Sequence, residues 1–128
     1  MPLFDWSNYL ALAKDLSESS DEAVLRSAIS RAYYAAFNQA KDYCLSHDIY
    51  IARHTDSHQV VWNAFLERGR LSKGIQHNGD LLKKKRVQAD YEADPIPRLS
   101  DVAKQAIHEC ELVLSYLSAL STSPPPTH

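Results

Sequence analysis

The sequence predicts an all-α fold, an up-and-down antiparallel bundle of about five helices. Apolar residues recur at helical spacing in successive segments, and no segment alternates apolar and polar residues convincingly enough for a strand. Only 3 glycines occur in 128 residues, too few for the many tight turns of an all-β chain. The links between segments are short, which favours antiparallel neighbours.

The first helix is predicted from Phe4 to Leu16, with Trp6, Leu10, Ala13 and Leu16 along one side. "SSDE" follows, and Ser19 with Glu22 three residues later fits a capping box. The second helix, the longest, is expected from about Asp21 to Ser46. Leu25, Ile29, Ala32, Ala36, Ala40 and Tyr43 line one of its faces. That stripe is rich in alanine, so neighbouring helices can come close while larger apolar groups must arrive from elsewhere.

"HDIYIARHTDS" reads as a connection, with a short extended piece around Ile49 and Ile51. A third helix is expected from Ser57 to Arg68 with Val61, Trp62 and Phe65 inward, and Gly69 as its C-cap. "RLSKGIQHNG" reads as a polar loop. The fourth helix then starts near Asp80 and ends at "DPIP", where proline stops it. Ser100 caps a fifth helix striped by Ala103, Ile107, Cys110, Leu114 and Leu117. Residues 1–120 form the domain, and the proline-rich segment 121–128 is expected to be a disordered tail.

A formal charge of −2 gives no global attraction for nucleic acid, so such binding needs a local cationic patch. The 2 cysteines, Cys44 and Cys110, fall within predicted helices and read as small buried groups in a reducing compartment. "MPLFDWSNYL" lacks the pattern of a leader, and no apolar run reaches the ~18 residues of a membrane span. A cytoplasmic protein without a membrane partner is the expectation.

Within "SRAYYAAFNQAKDY", Arg31, Tyr34 and Asn38 share one side of the second helix, away from its apolar stripe. Two readings stand: a solvated face with Tyr34 over Arg31, or a patch facing a ligand cleft or partner subunit. Arg86 and Asp90 are four residues apart and can pair directly. "KKKR", from Lys83 to Arg86, wraps round its helix, so it forms no single flat patch. His54 and His58 bracket Asp56, but no cysteine or second carboxylate is near; neither a metal nor a cofactor is expected.

"SRAYYAAFNQA", "SHQVVWNAF" and "LLKKKRVQADY" together resemble the HEPN domain family (higher eukaryotes and prokaryotes nucleotide-binding), in its small prokaryotic branch with R-A-Y-Y-A and A-D-Y segments. The resemblance runs from the first helix to about Leu120. It implies a helical bundle that forms a homodimer and a nucleotide- or RNA-linked module. It also implies a minimal nucleotidyltransferase as partner, in a toxin–antitoxin or defence pair. Many members are metal-independent ribonucleases, in which an arginine and a histidine with four to six residues between them meet at a dimer cleft. There the histidine moves a proton and the arginine stabilises developing charge.

The fourth helix lacks that spacing, since Tyr91, Glu92 and Ala93 stand where four, five and six residues intervene after Arg86. Arg53 with His58 matches it, as does Arg70 with His77; chance alone yields about one such match in this composition. The resemblance therefore puts Arg31, Tyr34 and Asn38 at a functional or dimer surface, with His58, Arg86, Asp90 and Tyr91 as neighbours. Three readings follow: a binding module without catalysis, a ribonuclease using Arg53 and His58 or an Arg/His pair assembled by folding, and a helical interaction domain. The missing pair on the fourth helix and the near-neutral charge favour the first.

Overall fold

A computed structural model describes residues 3–49, 57–66 and 68–122. Five helices follow in order: α1 (Ser7–Leu16), α2 (Glu22–Ser46), α3 (Ser57–Asn63), α4 (Arg70–Tyr91) and α5 (Leu99–Thr122). No strand occurs among the described residues. The all-α bundle expected from the sequence is the fold observed. No helix of the described residues is long and apolar enough to cross a membrane.

α2 is the central rod and packs against all four other helices. Its buried set is wider than the predicted stripe and includes Ala28, Ser30, Tyr33, Ala35 and Phe37. The alanines at 28, 32, 35, 36 and 40 are fully enclosed. The bulk opposite them comes from Val61 and Trp62 of α3, Phe65 in the turn after it, Ile75 and Leu82 of α4, and Val113 of α5. Small residues on the axis thus let four neighbours approach one helix, and large ones on the neighbours fill the remaining space.

Several boundaries differ from expectation. α1 begins at Ser7 rather than Phe4, because the Asp5 carboxylate accepts from both the Ser7 amide (2.9 Å) and hydroxyl (2.7 Å) and sets the first turn there. α2 is capped by Asp21, whose side chain accepts from the Val24 amide at 3.1 Å; Ser19 instead accepts from the Asp21 amide at 3.0 Å. An aspartate at this position satisfies an orphan amide and also complements the helix dipole. α2 ends with Asp48 in the left-handed region (φ +55°) and the Ile49 amide on the Cys44 carbonyl. That is a Schellman closure made without glycine.

The main correction concerns α3 and α4. α3 stops at Asn63 and tightens through the Phe65 amide to the Trp62 carbonyl and the Leu66 amide to the Asn63 carbonyl. Gly69, at φ +104°, is the N-cap of α4 and not the C-cap of α3. The segment expected as a polar loop is the first half of α4, which buries Ser72, Ile75, Asn78 and Gly79. Its two glycines are contact points. A Cβ at Gly79 would run into the Trp62 indole, and one at Gly74 into the Tyr116 ring. Close packing here overrides glycine's poor helix propensity of about 1 kcal/mol each.

α5 begins one residue before Ser100 and runs to Thr122, two residues past the expected end of the domain. The extended piece expected around Ile51, and the proline-rich residues 123–128, lie outside the described residues. Lys85 of α4 donates to the Glu109 carboxylate of α5 at 2.9 Å, a largely buried ion pair that fixes those two helices in register.

Candidate functional site

Arg86 is the organising group. It sits in the second half of α4, on the side facing α2, and only 6% of its surface is exposed. Its guanidinium carbon lies 5.1 Å from the Tyr33 ring centroid, 5.6 Å from that of Tyr34 and 5.4 Å from that of Tyr91. One terminal nitrogen donates to the Tyr91 hydroxyl at 3.3 Å, and its nearest carboxylate oxygen, on Asp90, stands at 3.9 Å. Nε is buried with no hydrogen-bond partner. A guanidinium carries five N–H donors, and a buried cation needs close anions to offset its lost hydration. Aromatic faces supply part of that compensation, and the Asp90 carboxylate at 3.9 Å supplies another part through charge rather than through a hydrogen bond.

Asp90 serves two partners through one oxygen. Its Oδ2 accepts from the Ser30 hydroxyl of α2 at 3.1 Å and is the atom 3.9 Å from Arg86. The direct Arg86–Asp90 pairing expected from their spacing is therefore present as a loose one. The rest of "KKKR" diverges as the helical period requires: Lys83 donates to Gln59, Lys84 is exposed, and Lys85 reaches Glu109.

Tyr33 is fully buried, and its hydroxyl joins two elements. It accepts from the Trp62 indole Nε1 at 3.2 Å and lies 2.7 Å from His58 Nδ1. The indole can only donate, so the hydroxyl oxygen is its acceptor, and the same oxygen ties α2 to the His58 ring. The imidazole is stacked on Phe37, centroids 4.3 Å apart, and on Tyr33 at 5.6 Å, with Tyr34 edge-on at 6.0 Å. His58 and Arg86, 28 residues apart in sequence, thus border the same two tyrosine rings.

Arg31 adjoins this group from the other side. Its guanidinium carbon lies 4.7 Å from the Tyr9 ring of α1 and 5.6 Å from the Tyr34 ring. Asn38, one turn beyond Tyr34, donates its amide to the Tyr34 carbonyl at 3.0 Å, so that donor is held on its own helix.

The structure therefore brings Arg31, Tyr34, His58, Arg86, Asp90 and Tyr91 around one α2–α3–α4 junction. Arg53 lies outside the described residues, as do His54 and Asp56 of the conceivable metal cluster. Among the described residues no group of histidines, cysteines and carboxylates could hold a metal ion. Arg70 and His77 are both exposed in the first half of α4.

Sequence reasoning missed Ser30, Tyr33 and Arg26. Ser30 and Tyr33 belong to the quoted segment, and a helix buried on several sides must pair its polar tips; only the number of α2's neighbours makes that visible. Arg26 carries a weaker signal. Its guanidinium donates to the carbonyls of Gln88 (3.3 Å), Ala89 (3.0 Å), Glu92 (2.6 Å) and Asp94 (2.8 Å), closing the end of α4 just where Asp90 and Tyr91 stand. A cation so placed satisfies orphan carbonyls and complements the helix dipole.

A groove of about 690 Å³ opens between the C-terminal parts of α2 and α5, lined in part by Gln39, Tyr43, Leu45, Leu114 and Leu117. Among the described residues that line it there is no lysine or arginine, and none of them belongs to the Arg86 cluster. The family model of the HEPN domain matches residues 7–120, which span α1 to nearly the end of α5. No match was found among curated proteins or among solved structures.

Proposed function

Because this chain belongs to the HEPN domain family, a family of nucleotide- and RNA-linked helical modules, we propose that it binds a phosphorylated nucleotide ligand, free or within RNA, through Arg86. The observation that carries this reading is the state of that guanidinium: enclosed by three tyrosines, with an unpartnered Nε and an ion-pair carboxylate, Asp90, at 3.9 Å, beyond hydrogen-bond distance. A phosphate oxygen is the acceptor such a donor set lacks, since arginine matches phosphate with paired hydrogen bonds. Tyr34 and Tyr91 offer ring surface beside it, and Tyr91 is 73% exposed.

The absence of a histidine with four to six residues between it and Arg86 on the C-terminal side favours binding over cleavage. The module acts with a minimal nucleotidyltransferase, in a toxin–antitoxin or defence pair, as a homodimer in the cytoplasm; these assignments rest on the family resemblance.

The test is calorimetric titration of AMP, ATP and a short oligoribonucleotide into wild type and Arg86→Ala. Loss of about tenfold or more in affinity is expected, the worth of a charge-assisted hydrogen bond or two. Equal affinity in the two proteins would remove Arg86 from ligand binding.

A second reading, a metal-independent ribonuclease, draws on the convergence of His58 and Arg86 on shared rings. It predicts RNA cleavage in chelator by wild type and its loss in His58→Ala. Equal cleavage by both proteins eliminates His58 as a catalytic group.

A further inference from the structure

Arg31 is a second cation whose surroundings ask for an anion. Its guanidinium lies against Tyr9 of α1 and Tyr34 of α2, 4.7 and 5.6 Å from their centroids. It makes no hydrogen bond or ion pair among the described residues, so aromatic rings are its partners and its N–H donors are uncommitted. Ring faces attract a guanidinium but accept none of its in-plane hydrogen bonds.

The position of this cation matters. Arg31 and Arg86 each stand 5.6 Å from the centre of the same Tyr34 ring, which places the two guanidinium carbons at most about 11 Å apart. At that distance or less like charges oppose one another, and Asp90, the carboxylate paired with Arg86, is shared with Ser30 and forms no ion pair with Arg31 among the described residues. An anion with a single charged group relieves one arginine; two phosphoryl groups in series relieve both. Beyond Arg31 an aromatic cluster continues outward. Tyr9 packs at 5.4 Å against both Trp6 and Phe4, and Phe4 is 52% exposed. Cations interleaved with aromatic faces are the pattern that holds phosphates while bases stack alongside.

We infer that Arg31, seated between Tyr9 and Tyr34, forms a second phosphate subsite, so that the ligand of this face carries at least two phosphoryl groups. The inference rests on the Arg86 reading above and extends it toward α1. Two sources supply such a ligand: the polyphosphate of a nucleotide, or neighbouring phosphates of a single strand.

The experiment is titration of AMP, ATP and a 5′-phosphorylated tetraribonucleotide into wild type, Arg31→Gln, Arg31→Lys and Arg86→Ala. Arg31→Gln is expected to lower the affinity ratio of ATP or the tetranucleotide over AMP by about tenfold, with Arg31→Lys retaining most of it. A fall for ATP as well as the strand identifies the polyphosphate as sufficient. A fall for the strand alone, with the salt dependence of strand binding reduced by about one charge, identifies the strand. AMP titration of each variant also reports on a folded Arg86 site. If Arg31→Gln keeps the wild-type ratios while Arg86→Ala weakens every ligand, the second subsite is refuted and the Arg86 reading survives. If wild type binds none of the three, both fall.

Discussion

Arg86 is held in a way that serves something other than stability. Burying a guanidinium whose ion-pair partner stands at 3.9 Å and whose Nε is unpaired is unfavourable, and replacing a buried charge by an apolar side chain of similar length is often neutral or stabilising. Asp90 would not be stranded, because its side chain is 28% exposed and keeps Ser30. Arg86→Met is therefore expected to leave the unfolding free energy unchanged or to raise it by about 1–4 kcal/mol, measured by urea denaturation. A loss above about 2 kcal/mol would mark Arg86 as a structural keystone and undercut the ligand argument. The two cysteines behave oppositely. Burial pushes the Cys110 thiol up to about 12 and the Cys44 thiol to about 11, from 9.0. Both are protonated at neutral pH and should resist a thiol reagent in the native protein, reacting fully in denaturant. Because the folded values are raised, their contribution to stability is complete below pH 9 and is lost as pH rises toward 11 and beyond. Stoichiometric labelling of native protein at pH 7.5 would contradict this.

At the scale of single helices, α4 is the element on which the site depends, and both of its halves are set by neighbours. Its end is closed by Arg26 of α2, which reaches four carbonyls between Gln88 and Asp94. Arg26→Ala should destabilise the protein by about 2–3 kcal/mol and raise amide exchange over residues 88–94 before elsewhere. Uniform exchange along α4 would show that the cap is dispensable. Its beginning is set by glycine contacts. Gly79→Ala adds a good helix former, yet the new methyl meets the fully buried Trp62 indole, and overpacking of about 1–3 kcal/mol should outweigh the propensity gain. At Gly74 the obstacle is the ring of Tyr116, which is only partly buried and can swing aside, so Gly74→Ala should be milder. Thermal denaturation of both variants decides the order; Gly79→Ala at or above wild type would refute the contact argument. These contacts also explain why the sequence read this stretch as a loop. Gly74 and Gly79 count against a helix until Tyr116 and Trp62 are known to stand opposite them.

For the whole molecule, the layout follows from one rod. α2 is lined with alanine on several sides, and α1, α3, α4 and α5 close around it. That arrangement delivers Tyr9, Arg31, Tyr34, His58 and Arg86 from four helices to one face. As a homodimer, the assembly proposed from the family resemblance, the protein should show twice the chain mass in light scattering at micromolar concentration. A monomer mass across that range would remove a dimer cleft from any account of its function. The candidate site was partly legible beforehand. Arg31 and Tyr34 shared a helix side by period, and Arg86, Asp90 and Tyr91 fell together in one short segment. Tyr33 was not legible as a site residue, because its role depends on Trp62 and His58 arriving from α3.

The sequence alone determined the all-α class, the presence of five helices, the central apolar stripe of α2 and the family, because helical period and short motifs are local properties of the chain. Tertiary structure decided where α4 begins, how Asp90 is satisfied, and which cations lie against which rings. Those outcomes depend on what another helix places opposite each residue, and periodicity within one segment carries no information about that.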